Sequence, residues 1–219
     1  MIRNPIPWPN GAKCAVTITF DMDADSLIHI AKPADSHSRL YPISMGRYGP
    51  KVALPRILDT YRRFGLKQSF FIPGWCLETY PDTVEAILKD GHEIGHHGYL
   101  HEDPIKTAGH QREWFERTLD AHQKICGVLP RGYRAPVYNI TGEVIDLMIE
   151  HGLRYDSSMM ADDIPYELKT EAGRLYEMPV HWGTDDWPPF AHYDEIGYMM
   201  PVRSPSQGLA GFWEEFEAQ

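Results

Sequence analysis

KQSFFIPGWCLETYPDTVEAILKDGHEIG, residues 67–95, spells a strand, a helix and a second strand in that order. Residues 67–72 (KQSFFI) end in an aromatic and branched apolar run of strand type. Residues 81–90 carry Pro81 at a first helical turn and Gly91 just past the last one, the usual asymmetry of helix ends. Residues 92–95 then form a short strand. A helix between two strands predicts a parallel pair, because antiparallel neighbours need no such crossover.

The alternation extends in both directions. Residues 54–64 (LPRILDTYRRF) have helical spacing and stop at Gly65, a helix-ending position. Residues 14–20 (CAVTITF) read as a strand covered on both faces and run straight into Asp21. Residues 109–126 form an amphipathic helix with Trp114, Phe115, Leu119 and Ile125 for its buried stripe. Residues 132–135 read as a strand, Thr141 caps a helix through His151 that ends at Gly152, and strands follow at 153–157 and 175–180. Residues 25–55 show no clear periodicity and several prolines and glycines, which predicts a long functional loop. The pattern implies an α/β fold, a mostly parallel sheet or barrel, with reactive groups at the C-terminal strand ends.

The 219 residues suit one domain, 1–219, and contain no internal repeat. A formal net charge of −10 argues against nucleic acid or an anionic membrane as partner and favours a small neutral or mildly charged molecule. Cys14, Cys76 and Cys126 are scattered, without a C-x-x-C pair, and read as reduced, buried thiols. Residues 1–11 (MIRNPIPWPNG) lack the apolar run of a leader or anchor, and no later stretch spans a bilayer, so a cytoplasmic protein is expected.

Four stretches could carry chemistry. Asp21-Met22-Asp23 places two carboxylates on one face of an extended chain end, although Asp is also common where strands simply turn; Asp25 either joins them or opens the following loop. Of the four histidines in GHEIGHHGYLHEDP, residues 91–104, His97 and His101 have a spacing that converges on a metal where the backbone turns tightly. His92 and His96 lie in or beside the strand and read as structural. In RGYRAP, residues 131–136, a guanidinium can hold a carboxylate ionised in a fixed orientation, while Arg131 reads equally well as a surface residue. The segment HWGTDDWPPF, residues 181–190, is aromatic and stiffened by proline, fit for a substrate wall or for a lid on the core.

Taken as an ordered set, TFDMD, HGYLH and RGYRAP resemble the leading motifs of the polysaccharide deacetylases, carbohydrate esterase family four, the NodB homology fold. The resemblance runs from about residue 12 to residue 180. It implies a distorted (β/α) barrel that hydrolyses amide bonds with one divalent metal. Matched residue by residue, it implies Asp21 as general base, Asp23, His97 and His101 as metal ligands, Arg134 as the partner orienting Asp21, and Pro136 shaping the strand end. Such a ligand set suits Zn²⁺ most simply and also accepts Co²⁺, Ni²⁺ or Fe²⁺.

Three departures qualify what the resemblance implies. TFDMDADS enters a long loop, as in the branch of allantoinase-like proteins, cyclic imide hydrolases and the atypical bacterial peptidoglycan-deacetylase homologue, which TDDWPPF also resembles. Pro136-Val137-Tyr138 stands where the deacetylases have Pro-Tyr, which weakens the case for an oxyanion-binding N–H there. After Val180 nothing matches the L-x-x-H motif that supplies the family's general acid. Either the chain is C-terminally incomplete, lacking the last barrel strand and leaving an open edge, or the acid comes from elsewhere.

The expected function is metal-dependent hydrolysis of a non-peptide carbon–nitrogen bond, in a small cyclic imide or ureide. Arg47 and Tyr48 would meet the ring's polar edge, and Trp187 and Phe190 its face. The alternatives are deacetylation of an N-acetylated sugar or of a peptidoglycan- or chitin-like polymer, and a non-catalytic binding protein on the same fold. An exposed edge and aromatic loops are also compatible with a homo-oligomer.

Overall fold

The computed structural model describes residues 7–218. Residues 1–6 of the proline-rich start and Gln219 of the final helical stretch lie outside the described residues. Among the described residues, no helix is long and apolar enough to cross a membrane.

Seven strands form one sheet in the order β1-β2-β3-β4-β5-β7-β6. They are β1 (Phe20–Asp21), β2 (Ser69–Ile72), β3 (Glu93–His96), β4 (Gly132–Tyr133), β5 (Tyr155–Asp156), β6 (Tyr166–Thr170) and β7 (Gly173–Glu177). β1 to β5 and β7 run parallel; β6 returns antiparallel on β7. Helices α1 (Ser26–Ala31), α2 (Leu40–Tyr48) and α3 (Leu54–Phe64) precede β2, α4 (Gly74–Thr79) and α5 (Pro81–Lys89) link β2 to β3, α6 (Gln111–Cys126) leads to β4 and α7 (Gly142–Glu150) to β5. After β7 come α8 (Trp187–Phe190) and α9 (Pro205–Ala218).

The helix ends follow their sequence signals. Gly65 closes α3 at φ 66°, Pro81 opens α5, and the Thr141 hydroxyl accepts the Val144 N–H at 3.4 Å to cap α7. Phe70, Ile72, Leu58, Val84 and Ile87 form one core cluster between sheet and helices, and Phe115, Tyr133, Leu147, Met148 and Leu175 form another. Of the expected stripe on α6, Phe115 and Leu119 are buried, whereas Trp114 and Ile125 are half-buried.

Several expectations need correction. The strand expected over 14–20 shrinks to β1, because its neighbour β2 begins only at Ser69 and leaves earlier residues without a ladder; Val16 is 61% and Ile18 45% exposed. The expected long loop over 25–55 holds α1 and α2 and a π-helical turn, Gly49–Ala53, that runs into α3. Its helicity left no periodic trace because α2 buries only Pro42 and Ile43, too few for an apolar stripe. The strand at 175–180 is instead β7, paired with the unforeseen β6 across a tight hairpin at Thr170 and Gly173. Cys14 is exposed and Cys126 half-buried, so of the three thiols Cys76 alone is buried.

Among the described residues, β1 bonds only to β2 and β6 only to β7. Residues 15–21 and 178–181 line one cleft, so the sheet curves round in the manner of a barrel. Its parallel strands end in register, with Ile72, His96, Tyr133, Asp156 and Glu177 aligned across four neighbouring pairs. The residues just beyond that row build the site.

Candidate active site

Met22 is buried in the core, so the carboxylates on either side of it, Asp21 and Asp23, turn together toward the opposite face. Asp25 does not join them. It is fully buried and accepts bonds from Arg47 Nε at 3.0 Å and from the Tyr80 hydroxyl, with His29 Nε2 3.6 Å away. Arg47 is thereby drawn into an ion pair outside the cleft, and the Tyr48 hydroxyl accepts from Arg56 Nη1 at 3.2 Å on an exposed surface. Neither lines the cleft, which from α2 receives Tyr41, Met45 and Gly46.

His97 leaves the end of β3 and is almost wholly buried. Its Nδ1–H donates to the Arg134 carbonyl at 2.7 Å, which leaves Nε2 with a free lone pair facing Asp23 Oδ1 at 3.3 Å. His101 Nε2 lies 3.3 Å from Asp23 Oδ2. Ligand atoms of Asp23, His97 and His101 all fall within 4.8 Å of one another, and Asp23 Oδ1 and His97 Nε2 are buried without a hydrogen-bond partner. Two opposed acceptors left unmatched in a closed corner fit a cation between them. Burial disfavours a charged Asp23, yet His101, His97 and Arg134 hold its carboxyl below the usual range. Burial works against protonation of His97 too, but Asp21 and Asp23 raise its pKa; in His101 burial prevails and the pKa falls.

Arg134 follows β4. Burial disfavours its charge, but Asp21 keeps it firmly protonated. Its Nη1 donates to Asp21 Oδ1 at 2.7 Å, while Nε and Nη2 donate to the carbonyl and hydroxyl of Ser157, each at 2.9 Å. The guanidinium lies 4.2 Å from the Phe71 ring centroid, a cation–π contact that fixes its plane. Arg131 is exposed on the surface. His92 Nδ1 accepts the Gln68 N–H, and His96 bonds the Phe115 carbonyl and the Gly98 N–H; both imidazoles serve the scaffold.

Strained backbone borders the site. The non-glycine residues with positive φ among those described are Asn10, Ala24, His101, Val137 and Tyr138, four of them next to Asp23, at His101 or after Pro136. Glu102, which the sequence did not single out, organises one such turn. Both its carboxylate oxygens accept the Tyr99 N–H, and Oε2 also accepts that of Leu100. The G-x-x-x-E spacing from Gly98, whose Cβ would lie 2.7 Å from Glu102 Oε1, is a signal that could have found it.

Trp187 and Phe190 line the cleft together with Tyr138, Asp185 and Asp186. Asp185 is engaged by the Tyr138 hydroxyl and the Trp187 N–H, whereas the Asp186 carboxylate has no hydrogen-bonded partner among the described residues. The cleft spans about 1760 Å³, well beyond the usual size of a site for one small ring.

The polysaccharide deacetylase family model matches residues 47–155. A Mycobacterium smegmatis protein assigned to the polysaccharide deacetylases has a solved structure with a TM-score of 0.93 and 35% identity, covering 98% of this chain and 75% of that one. The chain therefore belongs to the polysaccharide deacetylase family. The peptidoglycan deacetylase of Helicobacter pylori is 30% identical over 188 residues, 73% of this chain and 64% of that protein, so this chain matches somewhat under two thirds of the relative's length. The Puue allantoinase structure shares the fold, with a TM-score of 0.79 at 18% identity over 99% of this chain and 76% of the other.

Proposed function

We propose that this chain hydrolyses the N-acetyl group of a sugar in a peptidoglycan- or chitin-like glycan. The observation that carries the hydrolytic reading is the Asp21–Arg134 ion pair set beside the Asp23, His97 and His101 cluster. The names of the relatives and the breadth of the cleft support the glycan over the cyclic imide, whose expected contacts Arg47 and Tyr48 lie elsewhere.

In this reading Asp23, His97 and His101 hold one divalent ion, Zn²⁺ most simply. When bound, it supplies Lewis-acid polarisation of the amide carbonyl and acidifies water at the site. Asp21 takes a proton from the attacking water. Arg134 occupies Oδ1 of Asp21, which fixes the carboxylate's orientation and turns Oδ2 to the reaction. Trp187 and Phe190 flank the sugar, apolar rings of the kind that stack on its faces. Asp186, the unengaged carboxyl of the cleft wall, delivers the proton that the departing nitrogen needs, and the products are acetate and a free amine.

The test compares N-acetylglucosamine oligomers and peptidoglycan with succinimide, dihydrouracil and allantoin, for wild type and Asp21→Asn. Amine release from the acetylated glycans, lost in the variant while bound zinc is retained, is expected. Turnover of imides alone would overturn the substrate. Zinc and ligand binding with no turnover of any compound would overturn the hydrolysis and leave a binding protein.

A further inference from the structure

We propose that Asp156 and Glu177 share a single proton at neutral pH and so act as a positioning pair for Arg134. The two carboxyls end β5 and β7 as direct register partners, and both are fully buried. Two adjacent buried carboxylates cannot both stay ionised without a cation. None is supplied: among the described residues no Lys, Arg or His forms an ion pair with either. The groups that face the pair are Tyr133 on β4, Tyr166 on β6 and, across Ser157, Arg134.

The hydrogen bonds place the proton. Glu177 Oε1 accepts the N–H groups of Ser158 and Met159, each at 3.0 Å, as an ionised carboxylate would. Its Oε2 is buried and lacks a partner. Asp156 accepts the Ser158 hydroxyl on Oδ1 at 2.7 Å and, on Oδ2 at 3.1 Å, the same Ser158 N–H that Glu177 Oε1 accepts, so the two carboxyls lie side by side. A proton on Asp156, given to Glu177 Oε2, satisfies the remaining acceptor. Burial first, then Glu177, pushes the Asp156 pKa well up, in keeping with this.

What the pair holds is the Ser157–Ser158 turn. Ser158 Oγ, anchored on Asp156, accepts the Ala135 N–H at 2.8 Å, and Ser157 receives two bonds from Arg134. The proton thus fixes both the backbone after Arg134 and the guanidinium that grips Asp21. Only the consequence for Asp21 as a base rests on the proposed hydrolysis; the proton and the grip can be read without turnover.

The experiment combines infrared and NMR spectroscopy of the full chain at pH 8. Wild type is expected to show a protonated-carboxyl C=O band that disappears in Asp156→Asn and in Glu177→Gln. Each amide restores the missing donor, so the exchange rates of Arg134 Nε–H and Ala135 N–H stay as in wild type. Ser158→Ala should keep the band and speed both exchanges at least tenfold. Absence of the band from wild type, or its survival in either amide variant, overturns the shared proton. Unchanged exchange in Ser158→Ala, or altered exchange in the amide variants, overturns the positioning role. Failure of the hydrolysis reading would leave all these signals in place.

Discussion

Glu102 touches none of the proposed ligand atoms, yet by accepting the Tyr99 and Leu100 N–H groups it holds the turn that carries His97 to His101. Burial raises its pKa while those bonds oppose the rise. Glu102→Gln places an amide donor against backbone donors, and the expected result is a loss of about 10–100-fold in zinc affinity, the usual scale for groups that orient ligands. Competition with a chelator checks it. Asp186→Asn is expected to lower kcat by about 100-fold or more with zinc content unchanged, the ordinary contribution of a positioned acid; an unaltered kcat would remove Asp186 from the mechanism. At this scale the sequence was informative where chemistry and motif coincide. Asp21, Asp23, His97, His101 and Arg134 could be named in advance and are brought together. Arg47 could not be placed, because nothing local shows that Asp25, twenty-two residues earlier, takes its guanidinium.

Elements position these groups through close backbone approach. A Cβ on Gly46 of α2 would sit 2.7 Å from the Ala24 carbonyl oxygen and the Asp25 Cα, so the helix rests directly on the turn after Asp23. Gly46→Ala must push α2 off that turn and is expected to weaken zinc binding and destabilise the fold by about 1–3 kcal/mol, the cost of overpacking. Gly49→Ala, with open space around its Cβ, is the control and should change neither. Chemical denaturation and zinc titration of both variants decide it. The helix ends at Gly65, Pro81 and Thr141 were legible because each rests on one residue's own backbone or hydroxyl chemistry. α2 was not, since its reason to exist is contact with the turn at residues 24–25 rather than an apolar stripe of its own.

Across the whole molecule, buried ionisable groups set how stability responds to pH. Burial lowers His122 to about 3, against an unfolded value near 6.5. The unfolded chain therefore binds a proton that the folded one refuses, and the stability linked to His122, full above about pH 6.5, falls as the pH drops toward 3. The difference in unfolding free energy between wild type and His122→Leu should shift against wild type by about 1.4 kcal/mol per pH unit in that window. A difference independent of pH would mean that His122 titrates normally when folded. The alternation of strand and helix determined, by itself, the α/β class, because periodicity is a local property, and the resemblance carried by the ordered motifs pointed to Asp21, Asp23, His97, His101 and Arg134 as candidates. Only tertiary structure decided where strand ladders stop, that residues 15–21 and 178–181 face one cleft, and that Asp156 and Glu177 meet. Those outcomes depend on which distant segments lie alongside one another, and two acids twenty-one positions apart become a pair only when β5 and β7 come into register.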